Sequence, residues 1–102
     1  MSVTALTKEN FDTETKNGIS LVDFWASWCG PCRMMSPVVE EFAETADIKV
    51  FKVNVDDEPS LADRFSIDMI PALIFMKDGA EAARIIGLAS KEKLAATVGE
   101  LK

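Results

Sequence analysis

The most informative part of the chain is VDFWASWCGPC, residues 22–32. Its first half belongs to an apolar run over Ile19–Ala26 that is typical of a strand buried on both faces. Its second half is a short loop ending at Pro31, a residue that the first turn of a helix tolerates because its missing N–H would have no partner there. The stretch therefore predicts a buried strand that leads into a helix through a loop carrying Cys29 and Cys32.

Outward from this stretch, strand and helix patterns alternate. Before it, Val3–Leu6 can form a short edge strand, and Thr7 can cap a helix over Lys8–Thr15. After it, the helix should run to about Glu44. The elements predicted downstream are a strand over Ile48–Val55, a short helix that starts within Asp56–Pro59 and ends at Phe65, a strand over Ala72–Met76, a hairpin turn at Lys77–Gly79, a strand over Glu81–Ile86 and a last helix capped by Ser90. The order β-α-β-α-β-α-β-β-α predicts an α/β fold with a central mixed β-sheet flanked by helices on both faces.

Composition and charge narrow the classes of protein. With 102 residues, 48% of them hydrophobic, residues 1–102 should form a single domain around one core. The net charge is -6 and the basic residues are scattered, which argues against nucleic acid as a partner. The apolar runs are far shorter than the ~20 residues that cross a membrane, and the N-terminus lacks the apolar segment of a signal peptide. We expect a cytoplasmic protein, most simply a monomer, that binds no membrane.

Cys29 and Cys32 are the two cysteines of a chain that contains no histidine. In the cytoplasm such a pair is normally kept reduced, which favours redox chemistry. The N–H groups that begin a helix stabilise a thiolate, so we expect the pKa of Cys29 to lie below its usual value of about 8.5. Cys29 should be the nucleophile and the more exposed thiol. Cys32, inside the first turn, should be sheltered and resolve the mixed disulfide.

Two structural roles for the pair are less favourable. A disulfide that closes so short a loop stabilises the fold by only ~2 kcal/mol in the chain-entropy model. A structural zinc ion needs four ligands, so a metal would have to bridge two chains. We therefore expect no metal and no cofactor other than the redox-active disulfide itself.

Asp23 is the second candidate catalytic residue, because a carboxylate within an apolar strand is costly to bury. Burial would raise its pKa and make it a proton acceptor for Cys32, through a water molecule. The alternative is an aspartate on a solvated strand face. Lys52, on the neighbouring strand, would modulate the charge of Asp23, or it is an ordinary exposed lysine.

These residues resemble a known family: Val22–Ala26 followed by Trp28–Cys32 is similar to the active-site region of thioredoxins. The resemblance extends over nearly the whole chain. Further matches in order and spacing are Lys52–Asp56, Ile70-Pro71, Lys77–Gly79 and Gly87. Gly30 and Pro31 between the cysteines resemble the reducing members of the family.

The resemblance implies a thioredoxin fold, a cis peptide bond before Pro71 and a groove for polypeptide substrates. Without it, a trans proline ending a loop would be the expected form. The candidate substrate-binding residues are Trp28, Gly30, Pro31, Met69, Ile70, Pro71, Gly87, Leu88 and Ala89. The resemblance also implies that the substrates are disulfides in other proteins and that an NADPH-dependent flavoprotein, thioredoxin reductase, restores the dithiol. Two alternatives are a thioredoxin-fold binding or scaffold subunit and a glutathione-dependent reductant, for which no residue gives specific support.

The chain departs from the family pattern beside Ile70. Asp68 and Met69 stand where a basic and a small residue are usual, and Ala72 replaces the usual threonine. Met69 would favour substrates with an apolar residue beside the cysteine, and Asp68 would favour basic partners. If both side chains point into solvent, neither selects substrates.

Overall fold

The structure is a computed structural model that describes residues 3–102. Its elements, in chain order, are β1 (Thr4–Ala5), α1 (Phe11–Thr15), β2 (Ile19–Trp25), α2 (Gly30–Thr45), β3 (Lys49–Asn54), α3 (Pro59–Arg64), β4 (Ala72–Lys77), β5 (Ala80–Ile86) and α4 (Lys91–Leu101). This is the predicted order of elements.

The five strands form one mixed sheet in the order β1-β3-β2-β4-β5. Strands β1, β3 and β2 run parallel, whereas β4 is antiparallel to both β2 and β5. Because β4 opposes β2, its first residue pairs near the end of β2, with Ala72 opposite Phe24. Pro71, just before β4, therefore lies at the same end of the central strands as the loop that follows β2.

Helices cover both faces of the sheet, and β2 contributes alternate side chains to each face. Val22 and Phe24 pack on one face with residues of α1 and α3, including Phe11 and Leu61. Leu21 packs on the other face with residues of α2 and α4. Complete burial of a side chain such as Phe24 stabilises the fold by about 1.5–3 kcal/mol. This alternation places Asp23, between Val22 and Phe24, on the face covered by α2.

Helix α1 starts later than predicted. Its N-cap is Asn10, and Thr7 precedes the helix rather than capping it. The Oδ1 atom of Asn10 accepts the backbone N–H of Thr7 at 2.8 Å, and the N–H of Phe11 donates to the carbonyl of Thr7 at 3.0 Å. Residues 7–10 therefore form a turn, because the polar side chain of Asn10 bonds backward along the chain.

The predicted cap of the last helix is confirmed, since Oγ of Ser90 accepts the N–H of Lys93 at 3.1 Å. The hairpin turn is also confirmed, with β4 extending through Lys77 and the turn itself at Asp78-Gly79. Both turn residues have positive φ, which aspartate and glycine tolerate well. None of the helices within residues 3–102 combines the length and the apolar character that spanning a membrane requires.

Candidate active site

Cys29 lies at the junction of β2 and α2 and is the N-cap residue of the helix. Its Sγ atom accepts the backbone N–H of Cys32 at 3.1 Å, and its carbonyl accepts the N–H of Arg33 at 3.3 Å. Cys29 and Cys32 are joined by a disulfide. The sulfur of Cys29 thus occupies the position where an N-cap side chain meets the partial positive charge of the first helical turn.

The two cysteines differ little in exposure. Cys29 is 5% exposed and Cys32 is 3% exposed, so Cys29 is the more exposed residue, as expected, but only by a small margin in the disulfide form. Both pack in a small cluster with Ala26, against which Trp25 and Ile70 rest. The asymmetry between the sulfurs lies in hydrogen bonding instead, because Cys29 alone is the N-cap acceptor.

The segment around Pro71 faces the disulfide. The Ile70–Pro71 peptide bond is cis, in the form that the family resemblance implies. The carbonyl oxygen of Ile70 lies 3.8 Å from Sγ of Cys29. The N–H of Gly87 donates to the carbonyl of Pro71 at 2.8 Å, which ties residues 87–89 to the same place. Three segments that are distant in sequence therefore meet at the disulfide.

The candidate substrate-binding residues form the surface of these three segments. Trp28, Pro31, Met69 and Leu88 are exposed, Gly30, Ile70, Gly87 and Ala89 are partly buried, and Pro71 is buried. The surface around the disulfide is therefore largely apolar. Exposed apolar patches on a folded protein are typical of places where a partner binds.

Asp56 fixes the most exposed aromatic residue of this surface and was missed by the sequence analysis as a site residue. Nε1 of Trp28, which is 67% exposed, donates to Oδ2 of Asp56 at 2.9 Å. Asp56 follows the end of β3, 28 positions further along the chain. No local pattern connects the two residues, although Asp56 belongs to one of the segments that match the family.

Asp23 is buried, which agrees with the predicted buried carboxyl group, and it lies on the face of the sheet that α2 covers. It is 6% exposed, and its Oδ1 atom has no hydrogen-bond partner within residues 3–102. Burial raises the pKa of Asp23 from its ordinary value of 3.8 to about 7, and the positive charge of Lys52 lowers it in part. Asp23 is therefore an acid that changes charge near neutral pH.

A cleft of about 120 Å³ connects Asp23 with Cys32. It has room for a few water molecules. The residues that line it are Asp23, Trp25, Cys32, Arg33, Ser36 and Lys52. Trp25, Arg33 and Ser36 were not predicted from the sequence as residues of this site. Helical spacing could have found Ser36, which lies one turn after Cys32 and thus on the same side of α2.

Lys52 lies beside Asp23, as the strand assignment predicts. The two residues are paired in the register of β2 and β3. The ammonium group of Lys52 also lies 5.8 Å from the centre of the Trp25 ring, within the range of a cation–π contact. These contacts hold the lysine against the cleft that it lines, where its charge acts on the carboxyl group of Asp23.

The three departures from the family pattern have different environments. Met69 and Asp68 are exposed beside Ile70. The pKa of Arg84 is raised by its hydrogen bond to Glu81 and, to a smaller extent, by the negative charge of Asp68, so that charge has a cationic neighbour. Ala72 is fully buried in the core, so its side chain offers no surface to a substrate.

The described part of the chain, residues 3–102, contains no group of three or more cysteine, aspartate and glutamate side chains arranged to hold a metal ion. The site brings together two cysteines, one buried carboxyl group and the dipole of α2, a set of groups suited to thiol–disulfide exchange.

Comparison with known proteins agrees with this geometry. The family model described as Thioredoxin matches residues 2–100. Thioredoxin from Staphylococcus saprophyticus is 44% identical over 100 residues, covering 96% of each chain. Thioredoxin from Staphylococcus haemolyticus is 45% identical over 97 residues, covering 93% of each.

Solved structures show the same fold. The structure of a mutant thioredoxin from Halobacterium salinarum superposes with a TM-score of 0.91 at 33% identity, covering 97% of this chain and 89% of that one. Thioredoxin from Malassezia sympodialis gives a TM-score of 0.88 at 32% identity, covering 97% and 90%. With a matching family model, close relatives and a CxxC pair at the start of α2, the chain belongs to the thioredoxin family of thiol–disulfide oxidoreductases.

Proposed function

We propose that this protein reduces disulfides in other proteins, with Cys29 as the attacking thiolate and Cys32 as the resolving thiol. The observation that carries the assignment is that Sγ of Cys29 accepts the N–H of Cys32 as the N-cap of α2. A negatively charged sulfur gains more from this hydrogen bond and from the helix dipole than a neutral thiol does. The same position makes Cys29 the better nucleophile.

The reaction has two exchange steps. The thiolate of Cys29 attacks one sulfur of the substrate disulfide, forms a mixed disulfide and releases the other sulfur as a thiolate. The sulfur of Cys32 then attacks Sγ of Cys29, which forms the Cys29–Cys32 disulfide and releases the second substrate thiolate. The substrate gains two electrons, and the protein loses two.

Asp23 is the proton acceptor in the second step. Cys32 has to lose its proton to attack, and the cleft gives the buried carboxyl group of Asp23 a route to it through water. A pKa of about 7 suits the carboxyl group to accept a proton and pass it on at neutral pH. Lys52 keeps part of the Asp23 population ionised and is a positioning residue for this base.

Substrate recognition uses the surface around the disulfide. The backbone of Ile70 faces Cys29, so an extended substrate segment can pair with it through main-chain hydrogen bonds. Trp28, Pro31, Met69 and Leu88 supply exposed apolar contacts, and Gly30, Gly87 and Ala89 let the substrate backbone approach closely. Such recognition favours flexible segments around the target disulfide over one fixed sequence.

The cycle closes when a partner reduces the Cys29–Cys32 disulfide. We assign this partner as an NADPH-dependent flavoprotein, thioredoxin reductase, on the strength of the family relationship. In this proposal residues 1–102 act as a single-domain monomer in the cytoplasm. The disulfide is the redox group, and no metal or other cofactor takes part.

One assay tests the proposal. The oxidised protein is mixed with insulin, NADPH and thioredoxin reductase, and NADPH consumption is followed; a parallel reaction contains glutathione, glutathione reductase and NADPH. The expected result is consumption that depends on both insulin and this protein in the first reaction and not in the second. Activity with glutathione alone would make the protein a glutathione-dependent reductant. Inactivity in both would leave a binding or scaffold role.

A further inference from the structure

The four methionines within residues 3–102 divide sharply by exposure. Met35 and Met76 are each 1% exposed and belong to the core, whereas Met34 is 62% exposed and Met69 is 65% exposed. A thioether is soft and readily oxidised, and its susceptibility depends on access. Of these four, only Met34 and Met69 are therefore open to an oxidant in solution.

Both exposed methionines lie on the surface that surrounds the disulfide. Met69 is next to Ile70, whose carbonyl lies 3.8 Å from Sγ of Cys29. Met34 is in the helix that Cys29 caps, one turn after Gly30. The large hydrophobic side chains that are exposed within residues 3–102 are Trp28, Met34, Met69, Ile86 and Leu88, and all lie at or beside the three segments that meet at the disulfide. Met34 and Met69 are thus two of the five large hydrophobic side chains that are exposed in this region.

We propose that Met34 and Met69 are oxidation sites through which peroxides weaken the docking of polypeptide disulfides while leaving the disulfide chemistry intact. The proposal rests on the disulfide-reductase function given above. It adds regulation of the same site by a group that takes no part in thiol exchange.

The modification is a balanced oxygen transfer. The methionine sulfur attacks an oxygen of hydrogen peroxide, an S–O bond forms as the O–O bond breaks, and the peroxide leaves as water. The thioether loses two electrons to become a sulfoxide, and the peroxide gains them. The product is polar, so burying it against an apolar substrate residue removes a favourable contact and desolvates a strong acceptor.

In the disulfide form of the protein, the oxidant should modify the exposed methionines in preference to the cysteines. Its two cysteines are bonded to each other and are 5% and 3% exposed as residues, so a limited dose of oxidant meets the methionines first. In the dithiol form the thiolate of Cys29 would compete for the oxidant. Treatment of the disulfide form followed by reduction with dithiothreitol therefore isolates the effect of the methionines.

The experiment compares two substrates before and after oxidation. The disulfide form is treated with hydrogen peroxide, freed of oxidant, reduced, freed of dithiothreitol and mixed with excess insulin or with hydroxyethyl disulfide. Formation of the Cys29–Cys32 disulfide is followed by tryptophan fluorescence, because Trp28 adjoins Cys29. Fragment-ion mass spectrometry locates the added oxygen.

The matched variant is Met34→Leu with Met69→Leu, which keeps apolar side chains of similar volume. Each protein is compared with its own untreated sample.

We expect methionine sulfoxide at Met34 and Met69 and none at Met35 and Met76. We also expect a loss of about three- to tenfold in the rate constant for insulin, with a change under about twofold for hydroxyethyl disulfide. The double leucine variant should keep its untreated rate after the same treatment, and methionine sulfoxide reductases should restore the wild type.

Three results would overturn the proposal: an unchanged insulin rate after full conversion, an equal loss with both substrates, or the same loss in the leucine variant. Failure of the disulfide-reductase function would look different. In that case the untreated protein would react with hydroxyethyl disulfide and not with insulin.

Discussion

The carboxyl group of Asp23 lies opposite Lys52 in the register of β2 and β3, and both side chains line the cleft that reaches Cys32. Burial raises the pKa of Asp23 to about 7, while the charge of Lys52 lowers it. Burial of the Asp23 carboxyl group in the central strand therefore lowers the stability of the fold. It also gives this group a pKa that suits proton transfer near neutral pH. The stability of this protein and its reactivity should therefore depend on the same residue in opposite ways.

Replacing Asp23 with asparagine should stabilise the disulfide form, and the gain should depend on pH. Below the ordinary pKa of 3.8, the carboxyl group is protonated in both the folded and the unfolded states. As the pH rises from there to about 7, the unfolded chain loses the proton and the folded protein keeps it, so the wild type becomes less stable. Above that range the destabilisation is constant, at no more than about 4 kcal/mol.

Urea unfolding of both proteins at about pH 4 and about pH 8 measures this gain, which should be less than about 1 kcal/mol at the lower pH and about 2–4 kcal/mol at the higher one. The exposed residue Asp57 supplies the control, since Asp57→Asn should give no comparable dependence. If Asp23→Asn raised the free energy of unfolding equally at both pH values, ionisation of the carboxyl group would not be what destabilises the fold.

The same Asp23→Asn variant should slow the second exchange step by at least about tenfold, because Cys32 loses its proton acceptor. The first step should be nearly unchanged, since the thiolate of Cys29 is stabilised by the start of α2 rather than by Asp23. Rapid-mixing measurements that follow formation and decay of the mixed disulfide separate the two steps. If the variant decays at the wild-type rate across about pH 6 to 8, Asp23 is not the base.

Lys52→Met should move the pH dependence of the second step to higher pH. The charge of Lys52 lowers the pKa of Asp23, so removing that charge leaves burial unopposed and raises the pKa further. The midpoint of the rate against pH should rise accordingly. Lys49→Met, on the same strand, is the matched control, because Lys49 is exposed and donates to the carbonyl of Glu14 away from the cleft. Equal shifts in the two variants would point to the net charge of the protein instead of the Asp23–Lys52 pair.

The two cysteines should give opposite results when each is replaced by serine. Cys32→Ser keeps the N-cap thiolate of Cys29, so it should attack a substrate and remain trapped as a mixed disulfide. Cys29→Ser should form no such complex and show no reduction of insulin. Non-reducing electrophoresis and mass spectrometry after mixing with insulin give the readout, with the double serine variant as the blank. Complexes trapped by Cys29→Ser alone would reverse the assigned roles.

The sequence predicts what depends on local pattern. An apolar run followed by a loop and Pro31 predicted β2, α2 and the place of the cysteines between them. Asp23 stood out as a candidate because a carboxylate is unusual in such a run. The predicted start of helix α1 was wrong because Thr7 and Asn10 are both residue types that favour the N-cap position. The choice depends on the hydrogen bond from the N–H of Thr7 to the side chain of Asn10, which the sequence does not show.

Other features depend on contacts between distant segments. The hydrogen bond between Trp28 and Asp56 joins the loop after β2 to the end of β3, and the neighbouring charges of Asp68 and Arg84 lie on different elements. Neither follows from periodicity. The near equality of the exposed fractions of Cys29 and Cys32 was also unpredictable, because it depends on how Ile70 and Trp25 pack over the disulfide.

Met69 and Asp68 should act on substrates in unequal degree. Met69 is exposed beside Ile70. Its uncharged, flexible side chain adds apolar surface where an incoming polypeptide passes. Asp68 lies near the guanidinium group of Arg84, so part of its negative charge is balanced within the protein. We therefore expect the apolar preference from Met69 to exceed the charge preference from Asp68.

Rates of reduction of four disulfide peptides, which combine an apolar or polar residue beside the cysteine with an acidic or basic flank, measure both effects. Met69→Gly should reduce the advantage of the apolar peptides at low and high salt alike, because dispersion and hydrophobic contacts are not screened. Asp68→Asn should reduce the advantage of the basic peptides by less than about threefold, and only at low salt, because it acts through association rates. If the wild type and both variants rank the peptides in the same order with the same ratios at both salt concentrations, these two side chains point into solvent and do not select substrates. A large, salt-independent effect of Asp68→Asn would instead mean that Arg84 does not balance its charge and that Asp68 contacts the substrate directly.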